Sequence, residues 1–478
     1  MKNDLRDWLE KVDRMGDLKR IEGADWNEEI GCISALNSNK KGPVLLFDKV
    51  GGYPSGYRVA TSVNVRPSVI ALTVNLPTSY SESELSSAMV DKVGAAEREA
   101  ADFPPREVET GPVMENVHSG DEVDLFEFPA PKWHELDGGR YIGTGCAVVT
   151  MDPDTQEINL GTYRVMIHDG KTLGMYAAAE RHGKRHIEKY HERGQPCPIA
   201  ISMGHHPLIL RTAGLWLPSG SEYGFIGAMK GEPVEIITEG VTGLPIPADS
   251  EIVVAGWCHP DKRKDEGPFG EWTGYYGSWS RPEPIIEVER VYHRNDPIIL
   301  GAPPHRPKWS DNIHFSRMLC GAVLHNDLTN MGIPNVRAVS ISDMAHFEII
   351  AVSIKQSYHG HAKQVGLAVV QHRMCAAGGA GRYVIVVDED VDPNNMDDVL
   401  WAMATRADPE RDIEIIHRAP TDRIDPLVGM RTDILLNSRA IIDACRPYEW
   451  INEFPIPVTM SSELVERVRQ RWGDLLGF

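Results

Sequence analysis

Glu266 and Glu271 stand five residues apart in Glu-Gly-Pro-Phe-Gly-Glu, a segment that continues as WTGYYG. Buried close together, two carboxylates push each other's pKa values apart, so one site can hold an ionised and a protonated acid at once. Glycine and proline bend such a loop enough to turn both acids toward one point, and glycine lets the backbone approach a ligand closely. An acidic surface turn has the same composition, in a chain with 69 Asp plus Glu. A second group is Asn159-Leu-Gly-Thr-Tyr-Arg164, with His182 downstream and Ser221-Glu222-Tyr223 beyond. An Asn carbonyl, an imidazole and a carboxylate make a hard mixed set suited to Mn2+ or Mg2+ rather than to structural zinc. His182 and His186 could instead share a helix face and hold zinc, although neither carries the adjacent Glu of a metalloprotease motif; taken singly, each of these residues also fits an ordinary core or surface place. A third group, Asp388-Glu-Asp390-Val-Asp392, follows the apolar run YVIVV. It suits either a phosphoryl-transfer site with a nucleophilic Asp and Mg2+ or turn-making and helix-capping residues.

These side chains need elements to hold them. Leu5, Trp8, Leu9, Val12 and Met15 recur at helical spacing before Gly16, which predicts an opening amphipathic helix. PVLLFDKVGGYP reads as a strand and turn, and the acidic, proline-rich stretch from about 103 to 132 as a connector. Between about 142 and 300, short β-rich runs separated by Gly, Pro and Asp predict a mainly antiparallel sheet or barrel, interrupted by a helix over AAAERHGKRHIEKYHERG. After about 310, FEIIAVSI and YVIVVDEDVD are continuous apolar strands, with helical patterns in HAKQVGLAVVQHRM and DDVLWAMATRA, the alternation of an α/β unit. The chain ends in a Ser-capped helix whose Leu464, Val468, Trp472 and Leu475 form one stripe. That stripe must dock on its own chain or on a partner subunit.

The 478 residues suffice for about three domains, at roughly 150 residues each, with a substantial core. With 49 Lys plus Arg against 69 Asp plus Glu, the formal charge is −20, which argues against nucleic acid and against an anionic membrane surface as partners. Any anionic ligand must be held locally. The seven cysteines are widely spaced without a CxxC, as expected of free thiols in a reducing compartment. Acids among the first apolar residues argue against a signal peptide, and no long apolar run suggests a membrane span, so a cytoplasmic protein is expected. GxxxxGK[ST], GxSxG and HExxH are absent from the sequence, and GGAG at 378–381 precedes its strand, the wrong order for a dinucleotide loop.

Taken together, these segments resemble the UbiD family of reversible, non-oxidative decarboxylases over nearly the whole chain. EGPFGEWTGYYG is similar to that family's Glu-Gly-Pro-Phe-Gly-Glu/Asp, whose acids fall on Glu266 and Glu271. INLGTYR places the family's metal-binding Asn on Asn159 and its catalytic Arg on Arg164; the Arg-His pair at 181–182 places the metal-binding His on His182, and SEYGFIGAM the metal-binding Glu on Glu222. VVDEDVDP followed by VLWAMATRADPERD looks like the C-terminal signature, which sides with a structural role for the acidic run.

The resemblance implies a multidomain α+β and α/β chain. Its parts would be an N-terminal α/β region (1–110), a central split β-barrel that binds flavin (111–310), a C-terminal α/β oligomerisation domain (311–455) and a terminal helix (456–478). It implies prenylated FMN supplied by a separate flavin prenyltransferase, with the phosphate bound through Mn2+ (or Mg2+) and K+ nearby. Losing CO2 from an sp2 carbon leaves a carbanion that needs an electron sink no side chain provides. By the same resemblance, Asn159, His182 and Glu222 hold the metal, and Asn159, Arg164, Arg181, His182 and Glu222 face the cofactor. Arg164 orients the substrate carboxylate, Glu266 pairs with Arg164, and Glu271 protonates the carbon once CO2 has left. Substrates would be aromatic, heteroaromatic or α,β-unsaturated acids, and the chain a homodimer or higher homo-oligomer. Some members place a Lys on the cofactor where this chain has MCAAGG, so Arg373 and Lys363 are candidates for that contact; His305, Arg306 and Trp309 are candidates for the pocket wall. The rival readings are a Mg2+-dependent phosphatase built on Asp388 and Asp390 and a non-catalytic flavin-binding or assembly subunit.

Overall fold

The computed structural model describes residues 4–178, 181–277, 279–306, 314–342, 347–378, 380–428 and 434–477. The opening helix spans Leu5–Arg14, capped by the Asp4 side chain, and buries Leu5, Trp8, Leu9 and Val12. Gly16, at φ 75°, lies just past its end, in the left-handed conformation where glycine costs least. This helix leads to a four-stranded sheet in the order Leu18–Glu22, Val44–Asp48, Arg58–Thr61 and Ile298–Leu300. The last strand comes from far along the chain, so the N-terminal sheet is closed by a strand that follows the central unit in sequence.

The central unit is a nine-stranded sheet. Its path runs Arg140–Gly143, Arg164–Asp169, Thr172–Tyr176, Arg281–His293, Ile252–Glu266, Cys197–Met203, Ala147–Met151 and Ile158–Gly161, with Asn116–Ser119 added alongside Arg281–His293. Every pairing is antiparallel, as the short turn-bounded runs predict. The path does not close on itself, and the sheet curls into half a barrel. Long strands Ile252–Glu266 and Arg281–His293 carry register shifts at Ala255/Gly256 and Cys258/Arg263, irregularities that bend and twist a ladder. The predicted interrupting helix is present as His182–Glu192.

In the C-terminal unit the strand order is Val336–Ile341, Ile349–Ile354, Tyr383–Asp388, Leu436–Ala444, Ile413–Pro420, parallel in the middle and antiparallel at both edges. FEIIAVSI and YVIVVD supply two of the central strands, as expected. The HAKQVGLAVVQHRM pattern is divided at His372 into helices His361–Gln371 and Arg373–Gly378. Among the helices with no counterpart in the sequence reading, two are the longest. Glu82–Glu99 starts from a reciprocal Ser81/Glu84 capping box, and His314–Asn330 is buried on most of its circumference, from His314 and Phe315 to Leu328. A helix enclosed on all sides shows no polar stripe, and so has no 3.6-residue signature to read.

The terminal helix Ser462–Leu476 is capped by Ser461, and none of its residues is buried. Trp472 is 41% and Leu475 74% exposed, so the stripe does not dock on its own chain. All seven cysteines are free thiols, and only Cys32 is exposed. Among the described residues no helix is long and apolar enough to cross a membrane.

Candidate active site

Arg164 opens the strand Arg164–Asp169, and its direct cross-strand partner is Tyr176. The register therefore sets a phenol ring under the guanidinium, 4.6 Å from its centroid, with the Phe269 ring at 5.6 Å. Glu266 ends the long strand Ile252–Glu266. Its carboxylate takes Arg164 Nε at 2.9 Å and Nη2 at 2.6 Å, a bidentate fork, and also accepts from Tyr141 Oη at 2.9 Å. The chain then turns back through Gly267 at φ 88°, a conformation that disfavours a side chain. Behind it, a Cβ on Gly138 would lie 2.0 Å from the Gly267 carbonyl oxygen, so two bare backbones meet there. This return brings Glu271 to the other side of the guanidinium, where it accepts from Arg164 Nη1.

The two acids of EGPFGE thus do converge on one point, and that point is a buried cation. Glu266 is 1% and Glu271 9% exposed, and only Glu271 lines the adjoining cavity. Burial pushes the Glu271 carboxyl above its ordinary pKa against the opposing pull of Arg164. For Arg164 the attraction of both carboxylates outweighs burial and holds its pKa above the ordinary value. Beside this triad lies a cavity of about 180 Å³, lined by Tyr163, Arg164, Tyr176, Arg181, Trp216, Phe269, Trp272 and Pro304, and also by Asp422 and Ile424 from the C-terminal unit.

Asn159, His182 and Glu222 are gathered about Tyr163. Asn159 sits opposite Thr150 in the ladder and donates through Nδ2 to Thr150 Oγ1 at 3.4 Å. Its amide also faces the Tyr163 hydroxyl, and its Oδ1 accepts no hydrogen bond among the described residues. His182 and Glu222 each begin a helix, His182–Glu192 and Glu222–Lys230. The Tyr163 hydroxyl accepts from Gly183 N at 3.2 Å and feels the Glu222 carboxylate. Glu222 is 5% exposed, and among the described residues no cationic side chain pairs with it. Burial pushes its pKa up to about 8, against the backbone amides of Leu160 and Gly220. Burial and the nearby arginines 185, 181 and 373 push His182 below its ordinary value, toward the neutral imidazole. A buried carboxylate lacking a counter-charge, a neutral imidazole and a free amide oxygen fit a divalent cation. Arg181 lies over the Trp216 ring at 4.0 Å and donates to Gly214 O at 3.3 Å.

Other candidates fall elsewhere. His186 turns to Thr150 Oγ1 at 3.0 Å and sits 3.7 Å from Asp152, so the His182/His186 zinc pair is not formed. Asp388 accepts from Gln356, Arg406 and both the backbone and side chain of Arg446, while Arg406 also grips Asp390. This clamp leaves Asp388 no role as a phosphatase nucleophile, because every approach is occupied by a structural partner. Lys363 is drawn outward to Glu414, whereas Arg373, 3.6 Å from Asp327, is close enough to act on His182. Arg306 is exposed and His305 half-buried beside the cavity-lining Pro304; Trp309 lies outside the described residues. Sequence reasoning missed Asp422, which accepts from Tyr176 Oη at 3.2 Å and whose pKa burial raises. Its only signal was an Asp in a turn, TDRID, far from every motif.

Models of three domains of 3-octaprenyl-4-hydroxybenzoate carboxy-lyase match the chain: the N-terminal domain over residues 9–89, the Rift-related domain over 106–307 and the C-terminal domain over 318–444. The pyrrole-2-carboxylic acid decarboxylase of Pseudomonas aeruginosa is 31% identical over 98% of both chains. The vanillic acid decarboxylase of Sedimentibacter hydroxybenzoicus in its closed form superposes with a TM-score of 0.85, at 30% identity, over 98% of this chain and 99% of that one. An evolved dimeric form of the UbiD-class enzyme HmfF from Pelotomaculum thermopropionicum, in complex with prFMN, superposes with a TM-score of 0.81, at 26% identity, over 97% and 98%.

Proposed function

This chain belongs to the UbiD family of carboxy-lyases, and on that premise we propose that it decarboxylates an aromatic, heteroaromatic or α,β-unsaturated acid, reversibly and without net oxidation, using prenylated FMN. The observation that carries this reading is Arg164, buried between Glu266 and Glu271 beside a cavity walled by aromatic rings. A guanidinium that cannot lose its charge matches a carboxylate in two-point geometry. In this reading Arg164 orients the substrate carboxylate toward the cavity. Glu266, behind it, fixes the guanidinium plane. Glu271, on the cavity side and raised by burial above the ordinary carboxyl pKa, delivers the proton to the carbon that CO2 leaves.

Asn159, His182 and Glu222 would hold Mn2+ or Mg2+, with K+ nearby and Arg181 beside the cofactor. The helix N-termini at His182 and Glu222 add partial positive charge. A phosphate is thereby held in a protein of formal charge −20 by a local cation rather than by the overall field. The cofactor, once bound, supplies the electron sink; a separate flavin prenyltransferase would supply the cofactor itself. The test is to produce the chain together with such a prenyltransferase, record its visible absorbance and metal content, and screen aromatic acids for CO2 release. Flavin absorbance, at least one divalent ion per chain and release from at least one acid are expected. Loaded protein that neither releases CO2 nor exchanges carbon-bound hydrogen with solvent deuterium would identify a non-catalytic flavin-binding subunit instead.

A further inference from the structure

Away from the cavity, His118, Glu127 and His293 bring one ligand atom each to within 4.8 Å of one another. The fold explains their meeting. His118 lies on Asn116–Ser119 opposite Val291, so His293, two residues on, is its diagonal neighbour on the same sheet face; the two imidazoles meet edge to face at 5.1 Å. Glu127 arrives from the short turn Leu125–Glu127 of the connector. It is oriented by Tyr57 Oη, which donates to its Oε1 at 2.9 Å.

His293 is the telling member. Its ring is 4% exposed, and its Nδ1 lies 2.9 Å from the carbonyl oxygen of Arg294. A carbonyl only accepts, so Nδ1 carries the hydrogen, and in the neutral ring Nε2 presents a lone pair. That Nε2 is buried without a hydrogen-bond partner, 3.7 Å from Glu127 Oε1. His118 Nδ1 is likewise buried without a hydrogen bond, 3.1 Å from Glu127 Oε2. With the hydrogen of His118 on its other nitrogen, three electron-rich atoms face one another here, and they repel unless a cation lies among them. Donors bound to one tetrahedral ion at about 2.0–2.1 Å sit about 3.3 Å apart; the two imidazole nitrogens lie 3.1 and 3.7 Å from the two different oxygens of Glu127, near that spacing on either side of one carboxylate. A backbone carbonyl on the far nitrogen of one imidazole and a tyrosine on the carboxylate are the outer partners that orient metal ligands.

We propose that His118, Glu127 and His293 form a second metal site, for a divalent transition ion of the zinc type, with the fourth position open to water on the half-exposed side of His118. Its imidazole-rich set favours zinc over manganese, unlike the amide and carboxylate group at Asn159 and Glu222. The ion fastens the connector to the end of the longest hairpin and, through Tyr57, to the N-terminal sheet.

The test uses the full chain with Glu222→Gln to remove the first metal site, stripped by chelator and titrated with Zn2+ alone, with Co2+ as a spectroscopic probe. One tight equivalent is expected, with a tetrahedral Co2+ spectrum and a Zn2+-dependent rise in melting temperature. Adding His118→Ala, a half-exposed position, should remove both, and adding Tyr57→Phe should weaken binding about tenfold. The proposal is overturned if Glu222→Gln binds no Zn2+, or if His118→Ala and His293→Gln bind it as tightly as their parent. In that event the cluster is a buried polar group that holds no metal.

Discussion

Arg164 carries two carboxylates, and they are not equivalent: Glu266 holds its Nε and Nη2 from behind, while Glu271 touches Nη1 from the cavity side. Burial raises the Glu271 pKa, so its neutral form persists to higher pH than that of an ordinary carboxyl. The proposed proton delivery should then fail on the alkaline limb of the rate profile, as the acid form is lost. Glu271→Gln keeps the size and an acceptor oxygen for Arg164 Nη1, but its amide is too weak an acid to give up a proton. Turnover should drop about 10²- to 10⁴-fold, or roughly 3 to 5 kcal/mol of transition-state stabilisation, with cofactor absorbance retained. Steady-state rates and deuterium uptake at the vacated carbon check this; a wild-type rate in the loaded variant would move the donor role to water or Glu266. These two acids were legible in the sequence because their spacing and bend are local. Asp422 was not, because its place beside Tyr176 depends on a C-terminal loop folding back onto a sheet more than two hundred residues away.

At the scale of elements, what could be read was whatever carried a regular apolar pattern. The opening and terminal helices show apolar stripes at helical spacing, and the strands Ile349–Ile354 and Tyr383–Asp388 show continuous apolar runs, as strands buried on both faces do. His314–Asn330 is buried nearly all round and so shows no stripe, whereas Glu82–Glu99 does bury Leu85, Met89, Val93 and Ala96 at helical spacing behind its capping box, a legible pattern that the sequence reading missed. The terminal helix also makes a prediction. Val468, Trp472 and Leu475 are exposed along one side, and a contiguous apolar face of that kind is normally covered by another surface. Truncation after Met460 should lower the assembly mass in light scattering while leaving the far-UV signal of the remaining fold in place. An unchanged mass would show that the helix does not hold subunits together.

For the whole molecule, buried ionisable groups set how stability follows pH. His205 is fully buried, bonded through Nδ1 to Ser202 Oγ at 2.9 Å, and burial pushes its pKa down to about 3. The unfolded chain takes up its proton below about pH 6.5 while the folded chain does not. Stability from this group is therefore complete above pH 6.5 and is lost as pH falls, by roughly 1.4 kcal/mol per pH unit until about pH 3. The destabilisation caused by His205→Gln, measured by denaturant unfolding at pH 7.5 and pH 5.5, should shrink by about 1.4 kcal/mol in total, because only the unit below pH 6.5 contributes; equal differences at both values would mean that the imidazole protonates within the fold. A chain of formal charge −20 that receives an acid also faces an accounting of protons. Arg164 with Glu266 is neutral, and Glu271 ionised makes the triad an anion, so a substrate carboxylate entering beside it would add a second uncompensated charge in a dry cavity. The acid should therefore arrive with a hydrogen ion drawn from the buffer and placed on Glu271. Calorimetric heats of binding should depend on the buffer's own ionisation enthalpy, and the apparent affinity should weaken as pH rises.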